Sequence, residues 1–243
     1  MIRGFDASSC QGVLPFKQLN SEYNFVILKA QQGNDGFDPD FERNMLDGFA
    51  SGLEVFAYCF GYPLPPKDGH PGRDPRVQAK LFVDRVYRFP QMRGRPIFLD
   101  FEWPEPQDWV KWGVTAAFIS QWCRDCANEV WRLTGVKPII YTYPDWWHHV
   151  STADVSWAST FRLWLAAYVK AWPTDGSSPH VPKPWEDWLF WQWDGNGGFR
   201  LPNGVDADFC VFNGDRAALT ALANPRPVDG IEGDAAILTV ERV

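Results

Sequence analysis

The chain has 243 residues, 45% of them hydrophobic and 22% charged, which is enough apolar material for one large core and excludes an intrinsically disordered class. A net charge of -7 argues against a surface built for phosphates, so no nucleic acid partner is expected. No run approaches the roughly 18 apolar residues of a membrane span, so membrane insertion is not expected either, and the opening MIRGFD shows no apolar export segment. Five cysteines (Cys10, Cys59, Cys123, Cys126 and Cys210) are an odd and sparse set, so a disulfide scaffold is not expected. Cys123 and Cys126 form a C-x-x-C, but it falls inside a helical pattern and lacks a second pair, which reads as core rather than a zinc or redox site.

In chain order, strand-like runs fall at 2–7, 24–30, 54–61, 96–102, 137–143, 162–168, 188–193 and 205–212. Several are apolar throughout, as parallel strands covered on both faces are. Helical patterns separate the early ones. Asp38-Pro39 opens a helix carrying Phe41, Met45 and Phe49, closed by Gly52; Asp74-Pro75 opens a second with Ala79, Phe82, Val83 and Val86 on one face. A third runs through Val114, Phe118, Trp122, Cys126 and Val130 to a stop at Gly135, and 144–160 is a weaker candidate. After that the plan changes. The prolines at 173, 179, 182 and 184 and the stretch GNGGFRLPNG at 195–204 forbid regular helices in the last two connections, so strands seven and eight should form an antiparallel hairpin. The expectation is an α/β fold, one TIM-like barrel over residues 1–220. Residues 221–243 read as a tail that adds one short strand at AILTV.

In such barrels the site lies at the C-terminal rim of the parallel strands. That rim should collect Asp6 from strand one, Tyr58 from strand three, Asp100 and Glu102 from FLDFEW on strand four, Tyr141 from strand five, Gln192 from strand seven and Asp206 at the start of the returning strand eight. Asp100 and Glu102 are two apart on a strand and so share a face. Four converging carboxylates cannot all ionise at their usual pKa, so at least one keeps a proton near neutral pH. One protonated and one ionised acid are what glycosidic cleavage needs. Fourteen tryptophans, with Trp103, Trp164, Trp191 and Trp193 near the rim, offer flat apolar faces to sugar rings. His70, His148, His149 and His180 show no metal-binding spacing, and neither G-x-S-x-G nor a P-loop is present, so no metal or cofactor is expected.

The segments GFDASSCQGV, FVILKAQQG, GFASGLEVFAYCF, IFLDFEW, GVKPIIYTYPDWW, LWLAAY, WQWDGNGG and GVDADFCVF resemble, in order and spacing, those of glycoside hydrolase family 25 over residues 2–215. These are lysozymes that cut the β-1,4 bond between N-acetylmuramic acid and N-acetylglucosamine. The resemblance implies a (β/α)5β3 barrel, Glu102 as proton donor, Asp100 as second carboxylate, and Asp6 and Asp206 completing an acidic floor. Tyr58, Tyr141, Trp164, Gln192, Lys29 and Trp103 are then expected to bind substrate, with retention of configuration by a substrate-assisted route. Peptidoglycan would be the partner of a monomeric enzyme, phage-encoded and acting on the host wall after release, or secreted by another route. Cys10, Cys59 and the Pro-rich loop 61–75 depart from the family pattern and bear on the shape of the cleft. A chitinase-like glycosidase and a non-catalytic glycan-binding module are the alternatives.

Overall fold

The computed structural model describes residues 1–66, 72–174, 176–195, 198–202 and 204–225. Its elements in order are β1 (Ile2–Ala7), α1 (Phe16–Leu19), β2 (Phe25–Gln32), β3 (Gly36–Phe37), α2 (Phe41–Ser51), β4 (Glu54–Phe60), α3 (Pro75–Val86), β5 (Phe98–Asp100), α4 (Trp109–Trp112), α5 (Ala116–Thr134), β6 (Ile139–Thr142), α6 (Pro144–Val150), β7 (Arg162–Ala166), β8 (Phe190–Asp194), β9 (Asp208–Phe212) and α7 (Arg216–Ala223). The eight expected strands are present as β1, β2 and β4 to β9. The two-residue β3, a flap on the edge of β2, was not foreseen.

The sheet closes on itself, because β1 pairs with β2 on one side and with β9 on the other. Apart from the short β3, which runs antiparallel to β2, every pairing from β1 through β8 is parallel, while β9 runs antiparallel to both β8 and β1. Five helical crossovers followed by three strands joined without helices give the (β/α)5β3 barrel that the sequence led us to expect. The prolines after residue 172 and the short 195–207 connection account for the change of plan.

Side chains alternate along each strand between two packed volumes. Outside the strands, Phe5, Val26, Leu28, Val55 and Ala57 meet the helices, with Trp122, Cys123 and Cys126 of α5 buried among them. Inside, Phe25, Phe56, Phe98, Phe190, Phe212 and Trp164 fill the lower barrel. Gly4 faces this interior, where a Cβ would sit 2.5 Å from the Phe25 ring, so only glycine lets β1 lie beside that ring. Leu219 and Ala223 of α7 pack into the same interior and close its lower end. The boundary set at residue 220 falls inside this helix, and AILTV lies outside the described residues.

The helix ends follow their chemistry. Asp74 caps α3 by accepting from Arg76 N at 2.7 Å, and Gly52 and Gly135 end α2 and α5 in the left-handed conformation. Asp38 departs from its expected role. The helix starts two residues later, with Asp40 at the N-cap, and the Asp38 carboxylate accepts from Asp40 N at 2.9 Å and Ser9 N at 2.7 Å, tying the loop after β1 to α2. All five cysteines are free thiols. Among the described residues no helix is long and apolar enough to cross a membrane.

Candidate active site

Strand parity carries a polar layer to the upper end of the barrel. Above Gly4 on β1 comes Asp6; above Ile27 on β2, Lys29; above Phe56 on β4, Tyr58; above Phe98 on β5, Asp100 and then Glu102; above Ile139 on β6, Tyr141; above Phe190 on β8, Gln192. β9 runs the other way, so its first residue reaches this layer, and the register sets Asp208 opposite Asp6. Bulges between Lys29 and Gln31 and between Gln192 and Asp194 lie at this same level, where β2 and β8 bend at the rim.

Gln192, 2% exposed, is the hub of the layer. Its Nε2 donates to Asp6 Oδ2 at 2.8 Å and, more weakly, to Asp208 Oδ2 at 3.4 Å, while its Oε1 accepts from Tyr141 Oη at 2.9 Å and Tyr168 Oη at 3.2 Å. Cys210 Sγ donates to the same Asp6 oxygen at 3.4 Å. Asp100 Oδ1 is buried and has no hydrogen-bond partner among the described residues. Lys29 Nζ donates to Gln32 Oε1 at 3.0 Å, and its charge reaches Asp100 and Glu102.

Withdrawal from water is the largest influence on each acid, and mutual repulsion adds to it. Asp6 is held well above the usual carboxylate range by burial and then by Asp208; Asp100 is held well above it by burial and then by Glu102. Burial and the nearby Glu105 push Glu102 up to about 7, against the pull of the neighbouring Tyr141 hydroxyl. Asp208 rises to about 6, from burial and the charges of Asp194 and Asp206. Near neutral pH the group therefore holds protons that four separate carboxylates would have lost, and Glu102, half-buried at the open end, titrates where a general acid works best.

Asp6, Asp100, Glu102, Tyr58, Tyr141, Gln192 and Lys29 thus share one space, but Asp206 does not join them. The connection turns at Leu201–Val205, with Leu201 N bonded to Val205 O at 2.9 Å and Gly204 N to Leu201 O at 2.7 Å, and β9 begins only at Asp208. Asp206 remains on this turn, exposed and paired with Arg200 at 3.2 Å. Pairing the rim end of β1 with the start of an antiparallel last strand would have selected Asp208. Trp164, 1% exposed, lies in the layer below, its ring 4.5 Å from that of Tyr141, where it supports the site rather than facing solvent. Trp191 and Trp193 are also buried, on the outer face of β8, with Trp191 Nε1 bonded to Ala167 O at 2.7 Å. Trp103 does stand at the rim, stacked on Tyr62 at 3.9 Å and beside Trp112 at 5.3 Å. The sequence reading also passed over Tyr168 and the pair formed by Tyr143 and Glu105, 2.9 Å apart. No group of three His, Cys, Asp or Glu among the described residues is arranged to hold a metal ion.

A closed barrel whose upper end gathers four acids of split proton affinity beside an aromatic wall is the arrangement of a glycosidase. Residues 5–200 match the family description "Glycosyl hydrolases family 25", and the chain belongs to that family of glycoside hydrolases. It is similar to Lysozyme M1 of Streptomyces globisporus, 27% identical over 225 residues that cover 92% of this chain and 71% of that protein. It is also similar to the N,O-diacetylmuramidase of Chalaropsis sp, 27% identical over 194 residues, covering 79% of this chain and 87% of that one. Among solved structures, the bacterial lysozyme from Streptomyces coelicolor superposes with a TM-score of 0.76 at 26% identity, covering 92% of this chain and 97% of that chain.

Proposed function

We propose that this glycoside hydrolase cleaves peptidoglycan as a muramidase, at the β-1,4 bond between N-acetylmuramic acid and N-acetylglucosamine, with Glu102 as general acid. The observation that carries the reading is the placement of Glu102, protonated up to about pH 7, above the buried pair Asp100 and Asp6 at the open end of the barrel. The lysozyme and muramidase relatives point to the same substrate.

In this reading Glu102 delivers its proton to the leaving glycosidic oxygen as positive charge grows at the sugar carbon. Asp100 Oδ1, a buried acceptor without a donor among the described residues, suits the N–H of a 2-acetamido group, whose carbonyl oxygen then attacks the anomeric carbon. Water later opens that cyclic intermediate, with Glu102 taking back a proton, and configuration is retained. Asp6 and Asp208, held by Gln192, keep the floor negative beneath the developing charge. Trp103 and Tyr58 flank the sugar, and the enzyme acts on the bacterial wall, after release in a phage-infected host or after secretion.

The test is mass spectrometry of borohydride-reduced fragments released from purified peptidoglycan by the wild type and by Glu102→Gln. Reduced muramic acid ends with the wild type alone support the reading. Reduced glucosamine ends point to a glucosaminidase on the same scaffold. Chitin oligomers cleaved in preference to peptidoglycan point to a chitinase, and no fragments from several wall types to a binding module.

A further inference from the structure

A second recess opens beside the acids, on the β2–β4 side. Its volume is about 160 Å3, room for a small group rather than a whole sugar, and Gln32, Gly33, Asp35, Gly36, Tyr62 and Arg73 line it. Two contacts join it to the catalytic group. Lys29, whose charge is felt by Asp100 and Glu102, donates to Gln32, and Tyr62 lies flat on Trp103, the residue after Glu102. In the sheet, Phe60 pairs with Gln32 on one side and Asp100 on the other. An occupant of the recess would be a near neighbour of the reacting sugar.

Arg73 is the cation of this recess, and its backbone is fixed at both ends: its N–H donates to Leu64 O at 2.7 Å, and its carbonyl accepts from Trp122 Nε1 at 2.7 Å. Its Nη2 meets Asp35 Oδ2 at 3.1 Å, but the Asp35 side chain is 73% exposed, and so open an ion pair contributes little and exchanges readily. The guanidinium has five donors; its Nε is buried without an acceptor among the described residues, which leaves the Nη donors to meet a ligand. One face of Tyr62 is already taken by Trp103, so the recess offers a sugar no free platform on that side. What it offers is a fork for a carboxylate, an amide at Gln32 and glycine backbone, which is the chemistry that recognises a short peptide with an acidic group.

We infer that this recess is a subsite for a carboxylate of the peptide stem carried by the lactyl group of muramic acid, and that Arg73 makes the enzyme favour stems with a free carboxylate over stems without one. The inference rests on the peptidoglycan reading above. Its test uses two soluble substrates of equal glycan length and equal stems, one with its stem carboxylates free and one with them capped as amides. Wild type should cleave both and favour the first. Arg73→Ala should lower the ratio of kcat/KM between the two by about tenfold, through KM. Arg73→Lys, which keeps the charge without the fork, should lower it less and serves if the alanine variant does not fold. Asp35→Ala, which breaks the same ion pair from the other side, should leave the ratio unchanged or raise it. Equal losses on both substrates would overturn the inference and mark the recess as a sugar subsite. An unaltered ratio in both Arg73 variants would overturn it outright, and so would an equal fall in Asp35→Ala, since the pair would then be holding the loop. Failure of the wild type on both substrates would instead remove the peptidoglycan reading itself.

Discussion

In the lower barrel Phe190 meets Phe25 and Phe98 at steep angles, at 5.1 Å and 5.2 Å, and Phe98 meets Trp164 at 5.5 Å. Two residues beyond Phe98 and Phe190 stand Asp100 and Gln192, and β1, β2, β4 and β6 bring Asp6, Lys29, Tyr58 and Tyr141 to the same upper layer. The lower layer gathers groups that lose nothing on leaving water, and its ring pairs each add roughly 0.5–1.5 kcal/mol beyond area burial. The upper layer gathers groups that resist leaving water: two acids at 5–6% exposure, one of them with an oxygen that no donor among the described residues satisfies. The lesson of the contrast is that the rings supply the stability that lets the upper layer hold acids in unfavourable protonation states.

The contrast can be broken from either side. Glu102→Gln should lower kcat by about 10^3-fold or more with the circular dichroism spectrum unchanged, because it removes the proton and little else. Phe190→Ala should do the reverse, losing about 3–5 kcal/mol in urea unfolding while the folded fraction keeps most of its kcat/KM. Asp208→Asn should reduce kcat by about 10^2-fold, whereas Asp206→Asn should stay within about twofold, since its carboxylate is exposed. Equal effects of the two would return Asp206 to the site.

The smallest effect sharpens the comparison most. Glu102 protonates at about 7 in the fold against its usual 4.5, so between those values the folded chain binds the extra proton and stability falls as pH rises. Glu102→Gln should therefore be more stable than wild type above pH 7, by on the order of 2 kcal/mol, and the advantage should shrink toward pH 4.5. Thermal melts across that range test it; an advantage independent of pH would mean that packing, not charge, is responsible.

The parts of this architecture with strong local causes could be read from the sequence. Asp74-Pro75, Gly52 and Gly135 bounded helices because a cap, a fixed φ and a left-handed residue act within one turn. The D-x-E of FLDFEW declared its shared face through the two-residue period alone. What escaped depends on pairing between distant strands. Asp206 and Asp208 have the same parity, and only the antiparallel register of β9 against β1 chooses between them. Trp164 carries no local mark distinguishing a ring beneath the site from one that touches sugar, and nothing near Asp38 in sequence announces that its second oxygen accepts from the backbone N–H of Ser9, some thirty positions earlier in the chain.

That register has a consequence for how the protein is made. Ile2 pairs with Phe212 and Asp6 with Asp208, so the seam that closes the barrel joins the first and last of its strands, and two of the four acids sit on opposite sides of it. A nascent chain still lacking β9 holds Asp6, Asp100 and Glu102 without their fourth member, in a sheet with two open edges. Completion of the hydrolytic centre and completion of the fold are then one event, placed late by a contact of very high sequence separation. Onset of glycosidase activity during refolding should follow seam closure rather than helix formation.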